Sequence, residues 1–118
     1  MGNPVFFQGS PQASLQTGLG ERKLTAYDFS SGDVDLTDVS AAPISLAWGP
    51  ELTFLNSFGP RAFIVESITG GTNLELILLD GSTVVRNVSG IVGVEQRIAI
   101  TGIDASNSDL VGNVIFVW

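Results

Sequence analysis

From Glu21 onward, apolar and polar positions alternate over short runs, and turn residues interrupt the runs every few positions. Val, Ile, Thr and Phe dominate, which is the composition of strands. Leu24-Thr25-Ala26-Tyr27-Asp28-Phe29 alternates and stops at Ser30-Ser31-Gly32-Asp33. Over residues 34–39, Val34, Leu36 and Asp38 face one way and Asp35, Thr37 and Val39 the other. Ile44-Ser45-Leu46-Ala47-Trp48 predicts a short strand halted by Gly49-Pro50, and residues 51–60 form a connection closed by Phe58-Gly59-Pro60. Residues 61–68 predict a strand ended by Gly70-Gly71. After breaks at Gly90 and Gly93, a strand over 95–101 points Ile98 and Ile100 inward, with Arg97 and Thr101 outward. Residues 102–109 read as a polar loop. The final run, Val114-Ile115-Phe116-Val117-Trp118, is apolar on both faces and predicts a central or covered strand, because a bare apolar edge aggregates.

Leu74–Leu79 and Ser82–Val88 flank Asp80-Gly81 and predict a hairpin. If Asp80 and Gly81 alone form a type I′ loop, Glu75 stands opposite Arg86, Leu76 opposite Val85 and Ile77 opposite Val84. One salt pair and two apolar pairs then coincide. Aliphatic residues on both faces predict a hairpin covered on both sides.

No window sustains a helical face, and about seven short strands with frequent turns indicate an all-β fold. The expected architecture is a single antiparallel β-sandwich or jelly-roll-like domain over residues 21–118. Residues 1–20 differ. They carry no charged side chain, show neither strand nor helix period, and hold Pro4, Pro11 and several glycines around Val5-Phe6-Phe7. This block predicts an extended N-terminal arm laid across a neighbouring subunit. Phe7-Gln8-Gly9-Ser10 also resembles the remnant of a protease-cleaved tag. Met1-Gly2-Asn3-Pro4 lacks the basic and apolar regions of a signal peptide.

Composition narrows the function. The chain has 118 residues, five basic and twelve acidic, with a net charge of -7 and neither His nor Cys. Disulfides, thiolate nucleophiles, Cys-ligated metals and the Ser-His-Asp triad are therefore excluded. Nucleic-acid binding needs clustered cations and is not expected, nor is attachment to an anionic membrane. Only 14% of residues are charged, against about 25% in ordinary soluble domains. Such a deficit predicts a surface covered by other protein chains, the alternative being a neutral surface rich in Ser, Thr, Asn and Gly.

Three constellations bear on chemistry. Asp28, Asp33, Asp35 and Asp38 form an acidic cluster around a Gly-containing turn, which could offer hard oxygen ligands to Ca²⁺. Its spacing does not match an EF-hand, and solvated turn carboxylates are the expected reading. Glu66 and Glu75 could be imagined as paired acids for glycoside cleavage, but Glu75 has a natural partner in Arg86. Tyr27, Trp48 and Trp118 could stack on sugar, although core or interface packing suits Trp118 better. No enzyme activity, cofactor or metal is expected. The residues expected to meet a partner are Val5, Phe6, Phe7, Trp48 and Trp118.

From Arg61 to Trp118 the order of elements is a strand, a Leu-x-Leu arm, Asp80-Gly81-Ser82-Thr83-Val84, Asn87-Val88 and a Gly90 break. Ile98-Ala99-Ile100, a Thr/Gly/Asn-rich loop and Gly112-Asn113-Val114-Ile115 ending in Trp118 follow. This order resembles the head-spike base proteins of gene transfer agents and comparable decoration proteins of tailed phages. It departs from them at Val92-Gly93-Val94-Glu95, where a Pro is expected after the glycine. The resemblance implies a virion structural protein on the capsid exterior: a capsid decoration (cement) protein or vertex spike-base subunit. Its implied partners are the major capsid protein, further copies of itself as a trimer or pentamer, and a spike or fibre protein. The alternative is a carbohydrate- or receptor-binding β-module of a phage tail or fibre.

Overall fold

The computed structural model describes residues 21–38, 43 and 59–118. Two antiparallel sheets pack face to face as a β-sandwich, as the alternation pattern requires. Their strands are β1 (Glu21–Asp28), β2 (Val34–Asp35), β3 (Ala62–Gly70), β4 (Asn73–Leu78), β5 (Thr83–Asn87), β6 (Ile100–Asp104) and β7 (Val111–Val117). One sheet has the order β1-β7-β3 and the other β2-β6-β4-β5. A 3₁₀ turn, Ala105–Asn107, follows β6.

β7 is central, as its two apolar faces predict: Val114 pairs with Leu24 on one side and with Val65 on the other. Inward residues of both sheets meet in one core, including Leu24, Phe63, Val65, Val114 and Phe116 from the first and Val34, Leu74, Leu76 and Ile103 from the second. Burying each such side chain contributes roughly 1.5–3 kcal/mol. Gly71 has φ +67° and turns the chain from β3 into β4, in line with the Gly70-Gly71 break.

Four expectations need correction. First, the β4–β5 loop holds three residues, Leu79-Asp80-Gly81, closed by Leu78 N–H to Ser82 C=O at 2.8 Å and Gly81 N–H to Leu78 C=O at 3.0 Å. Only Gly81 has positive φ, so the turn is not type I′ but the three-residue kind ending in a left-handed glycine. The cause is local. The Asp80 carboxylate accepts from Ser82 N–H at 2.9 Å and Ser82 Oγ at 2.6 Å, which fixes Asp80 before the glycine. The register slips by one, placing Leu74 opposite Arg86, Glu75 opposite Val85 and Leu76 opposite Val84.

Second, β5 is not covered on both sides, for Val85 is 47% exposed. Third, the predicted strand over 95–101 begins only at Ile100. Residues 93–96 instead bond to β3, through Gly93 N–H to Val65 C=O at 2.7 Å and a Phe63–Gln96 bridge. The chain then crosses to the other sheet and stays in strand through Asp104, where a polar loop was expected. Gly102 permits this, because a Cβ there would meet the Val34 carbonyl at 2.5 Å. Fourth, β2 is cut to Val34–Asp35, since the Asp35 carboxylate accepts from Thr37 N–H at 2.9 Å and turns the chain. The segment Ile44–Trp48 and the arm lie outside the described residues.

Candidate docking face

The sequence carries Asp or Asn two residues before Ser or Thr at Asp28-Ser30, Asp35-Thr37, Asp80-Ser82, Asn87-Ser89 and Asp104-Ser106. At each, the first side chain accepts the backbone N–H two residues on, at 2.8–3.0 Å. A short carboxylate or amide reproduces a turn of backbone in this way. The Ser30 hydroxyl and N–H hold the Asp28 carboxyl below its usual range, Ser82 does the same for Asp80, and the Ser106 N–H and hydroxyl do so for Asp104. This spacing was readable in the sequence and is the pattern that reading of the acidic residues missed.

The acidic cluster is thereby dispersed into local roles. Asp28 and Asp35 hold their own turns, and Asp33 accepts the Ala105 N–H at 2.8 Å. Among the described residues no group of three acidic side chains is arranged to hold a metal ion. Glu66 and Glu75 do not form a pair either. Glu66 on β3 meets Lys23 Nζ at 2.7 Å across β7, which lowers its pKa. Glu75, on the other sheet, accepts from Asn107.

The aromatic residues separate too. Tyr27 packs edge-on against Phe29 with centroids 4.9 Å apart. Trp118 is 5% exposed and joins the core of its own domain. This corrects the expectation that Trp118 faces a partner: as the end of the central strand's run, it is enclosed by its own chain. Val5, Phe6, Phe7 and Trp48 lie outside the described residues.

What the structure offers instead is a set of exposed apolar side chains and a cleft. The large apolar side chains exposed among the described residues are Leu79, Val85, Val92 and Val94, in the β4–β5 turn, on β5 and in the loop after it. Beside β5 lies a cleft of about 390 Å³ between the sheets, with Phe63, Leu76, Ile91 and Ile98 as its apolar lining and Arg86 and Arg97 as its cations. Arg97 Nε lies 3.8 Å from Glu95, which Arg61 also approaches at 4.0 Å. The site presents apolar surface and guanidinium groups beside an edge strand. Comparison with family models, curated proteins and solved structures finds no match.

Proposed function

We propose that this chain is a virion structural subunit that binds the capsid exterior as a decoration (cement) or vertex spike-base protein. It acts by non-covalent clamping, with the major capsid protein and further copies of itself as partners. The observation that carries this reading is the exposure of Leu79, Val85, Val92 and Val94, before, on and after β5, in a chain of which only 14% is charged. Apolar side chains of this kind are what a subunit buries against its neighbours. The resemblance over residues 61–118 supports the same role. Symmetric repetition lets individually weak contacts add up to durable attachment.

The test is to add the purified chain to capsids stripped of their outer proteins and measure bound copies per particle. Saturable binding at a fixed copy number is expected, weakened by deletion of residues 2–20. A chain that leaves stripped capsids bare, while remaining folded, overturns the reading.

A further inference from the structure

Sheet edges that are left open recruit other strands, so natural domains cover or blunt them. Three edges here are managed. β3 is lined by Gly93 and Gln96. β2 has two residues. β1 is broken by a register shift between Leu24 and Tyr27 and carries Glu21, Arg22 and Lys23.

β5 differs. Closure of its hairpin at Leu78 and Ser82 makes Leu76–Val84 and Leu74–Arg86 the hydrogen-bonded pairs. The N–H and C=O groups of Thr83, Val85 and Asn87 therefore turn away from β4. No backbone bond to them is found among the described residues. Neither a bulge nor a proline interrupts the strand. Val84 and Arg86 share the face of Leu76 and Leu74, their opposite residues, and Leu76 and Arg86 line the cleft. A strand added along β5 would thus send alternate side chains toward this apolar cleft and the others out beside Val85.

We propose that the β5 edge and the cleft receive Val5-Phe6-Phe7 of a second copy of this chain as an added strand, with Phe6 in the cleft and Phe7 beside Val85. The proposal rests on the assembly reading above and names the contact that builds the oligomer. Three observations select this occupant. Val-Phe-Phe has high strand propensity, and residues 1–20 carry no charge, so docking buries no ion. Arg86 makes no ion pair or side-chain hydrogen bond among the described residues, and its guanidinium suits an aromatic face. Phe7 precedes Glu21 by fourteen positions, a reach of up to about 46–50 Å when extended. Glu21 sits on β1, the edge of its sheet opposite β3, whereas the cleft is lined by Phe63 of β3. The arm is therefore rooted two strands away from the cleft of its own subunit and is long enough to reach that of a neighbour, and a head-to-tail contact of this kind makes a ring where its rotation closes.

The absence of Cys makes disulfide trapping clean. Full-length Phe7→Cys and Val85→Cys chains are mixed under mild oxidation, since opposed residues on paired strands come close enough to bridge. A mixed disulfide dimer on a non-reducing gel is expected. No dimer in the mixture, with Phe7→Cys/Val85→Cys closing on itself as a monomer, overturns the proposal in favour of the chain's own arm. Dimers of Val85→Cys alone overturn it in favour of a second β5. Val85→Pro removes an outward N–H without touching the β4 ladder, and light scattering should show loss of the oligomer with the circular dichroism retained. If Pro unfolds the domain, Val85→Lys makes the same test, and an oligomer unchanged by it overturns the proposal. Binding to stripped capsids is read on the same proteins. Capsid binding without mixed dimers overturns this contact alone, and mixed dimers without capsid binding overturn the capsid role alone.

Discussion

Glu75 Oε1 accepts two hydrogen bonds from Asn107, one from the backbone N–H at 3.2 Å and one from Nδ2 at 3.1 Å. Glu75 is 7% exposed, on the face of β4 beneath the 3₁₀ turn. Its own N–H donates to Ser108 Oγ at 2.8 Å, and Ser108 Oγ donates to the Asp104 carbonyl at 2.7 Å. The carboxylate is thus a structural bracket that fastens the β6–β7 connection to β4.

Removing the bracket leaves Asn107 donors without their acceptor. Glu75→Ala should cost about 0.5–1.5 kcal/mol for each hydrogen bond lost, since exposed Asn107 can turn to water. Glu75→Gln retains an acceptor oxygen and should cost less than about 1 kcal/mol. Urea unfolding midpoints measure both. Equal losses in the two variants would mean that the carboxylate charge matters, and not the bracket.

Gly71 should be nearly irreplaceable. Its φ is +67°, and a Cβ would stand 1.8 Å from the Asp109 carbonyl oxygen, part of a backbone that cannot step aside cheaply. Asp109 is pinned there, since its carboxylate accepts from Thr72 N–H at 3.0 Å and Asn73 N–H at 2.8 Å. Gly81 has φ +87° but open space around it. Gly81→Ala should therefore cost only the left-handed penalty of about 1–2 kcal/mol. Gly71→Ala adds a collision and should lower the thermal midpoint clearly further. Similar midpoints for the two variants would show that the β3–β4 turn can shift.

The fold was legible because the alternation marks inward positions directly: Val34 and Leu36, Ile98 and Ile100, and Val114, Phe116 and Trp118 of the final run all turn in. The hairpin register was not, because Asp-Gly fits both a two-residue and a three-residue loop. The choice lay in Ser82, whose side chain and N–H bind Asp80. The start of β6 was hidden for a different reason. Residues 95–99 alternate like a strand but are spent on bridging from β3 to the other sheet, a tertiary fact with no local signature. Of the docking face, Val85 was visible as an aliphatic residue. That its strand is an edge followed only from topology.

Acid should weaken the domain through its turn carboxylates. Asp28, Asp80 and Asp104 have folded pKa values below the ordinary one because nearby Ser groups donate to the ionised form. A depressed folded pKa stabilises the native state above the unfolded value, about 3.9 for Asp. That contribution fades as pH falls from there through the lower folded values. Stability should accordingly drop below about pH 4 by this route and be flat for these groups above about pH 6. Replacing all three by Asn preserves the turn acceptor and removes the titration. Unfolding midpoints of that variant should change less between about pH 5 and about pH 3 than those of the parent, and an identical acid slope would locate the sensitivity elsewhere.

Ala26 offers a substitution that runs against the usual rule for strands. It has φ +49°, within the register shift between Leu24 and Tyr27, and its N–H donates to Asn113 Oδ1 at 2.7 Å. The left-handed region costs a non-glycine residue about 1–2 kcal/mol, whereas glycine loses about 0.5–1 kcal/mol of extra chain entropy on folding. Strain relief exceeds the entropy loss, so Ala26→Gly should stabilise the domain by up to about 1 kcal/mol. Asn113→Ala should destabilise it by about 0.5–1.5 kcal/mol, the net worth of a typical hydrogen bond. The two changes should also couple in a double-mutant cycle, because an unstrained glycine at this position has less need of the Asn113 acceptor to hold its conformation. A destabilised Ala26→Gly variant would mean that β1 straightens in solution and that Asn113 does not hold the bulge.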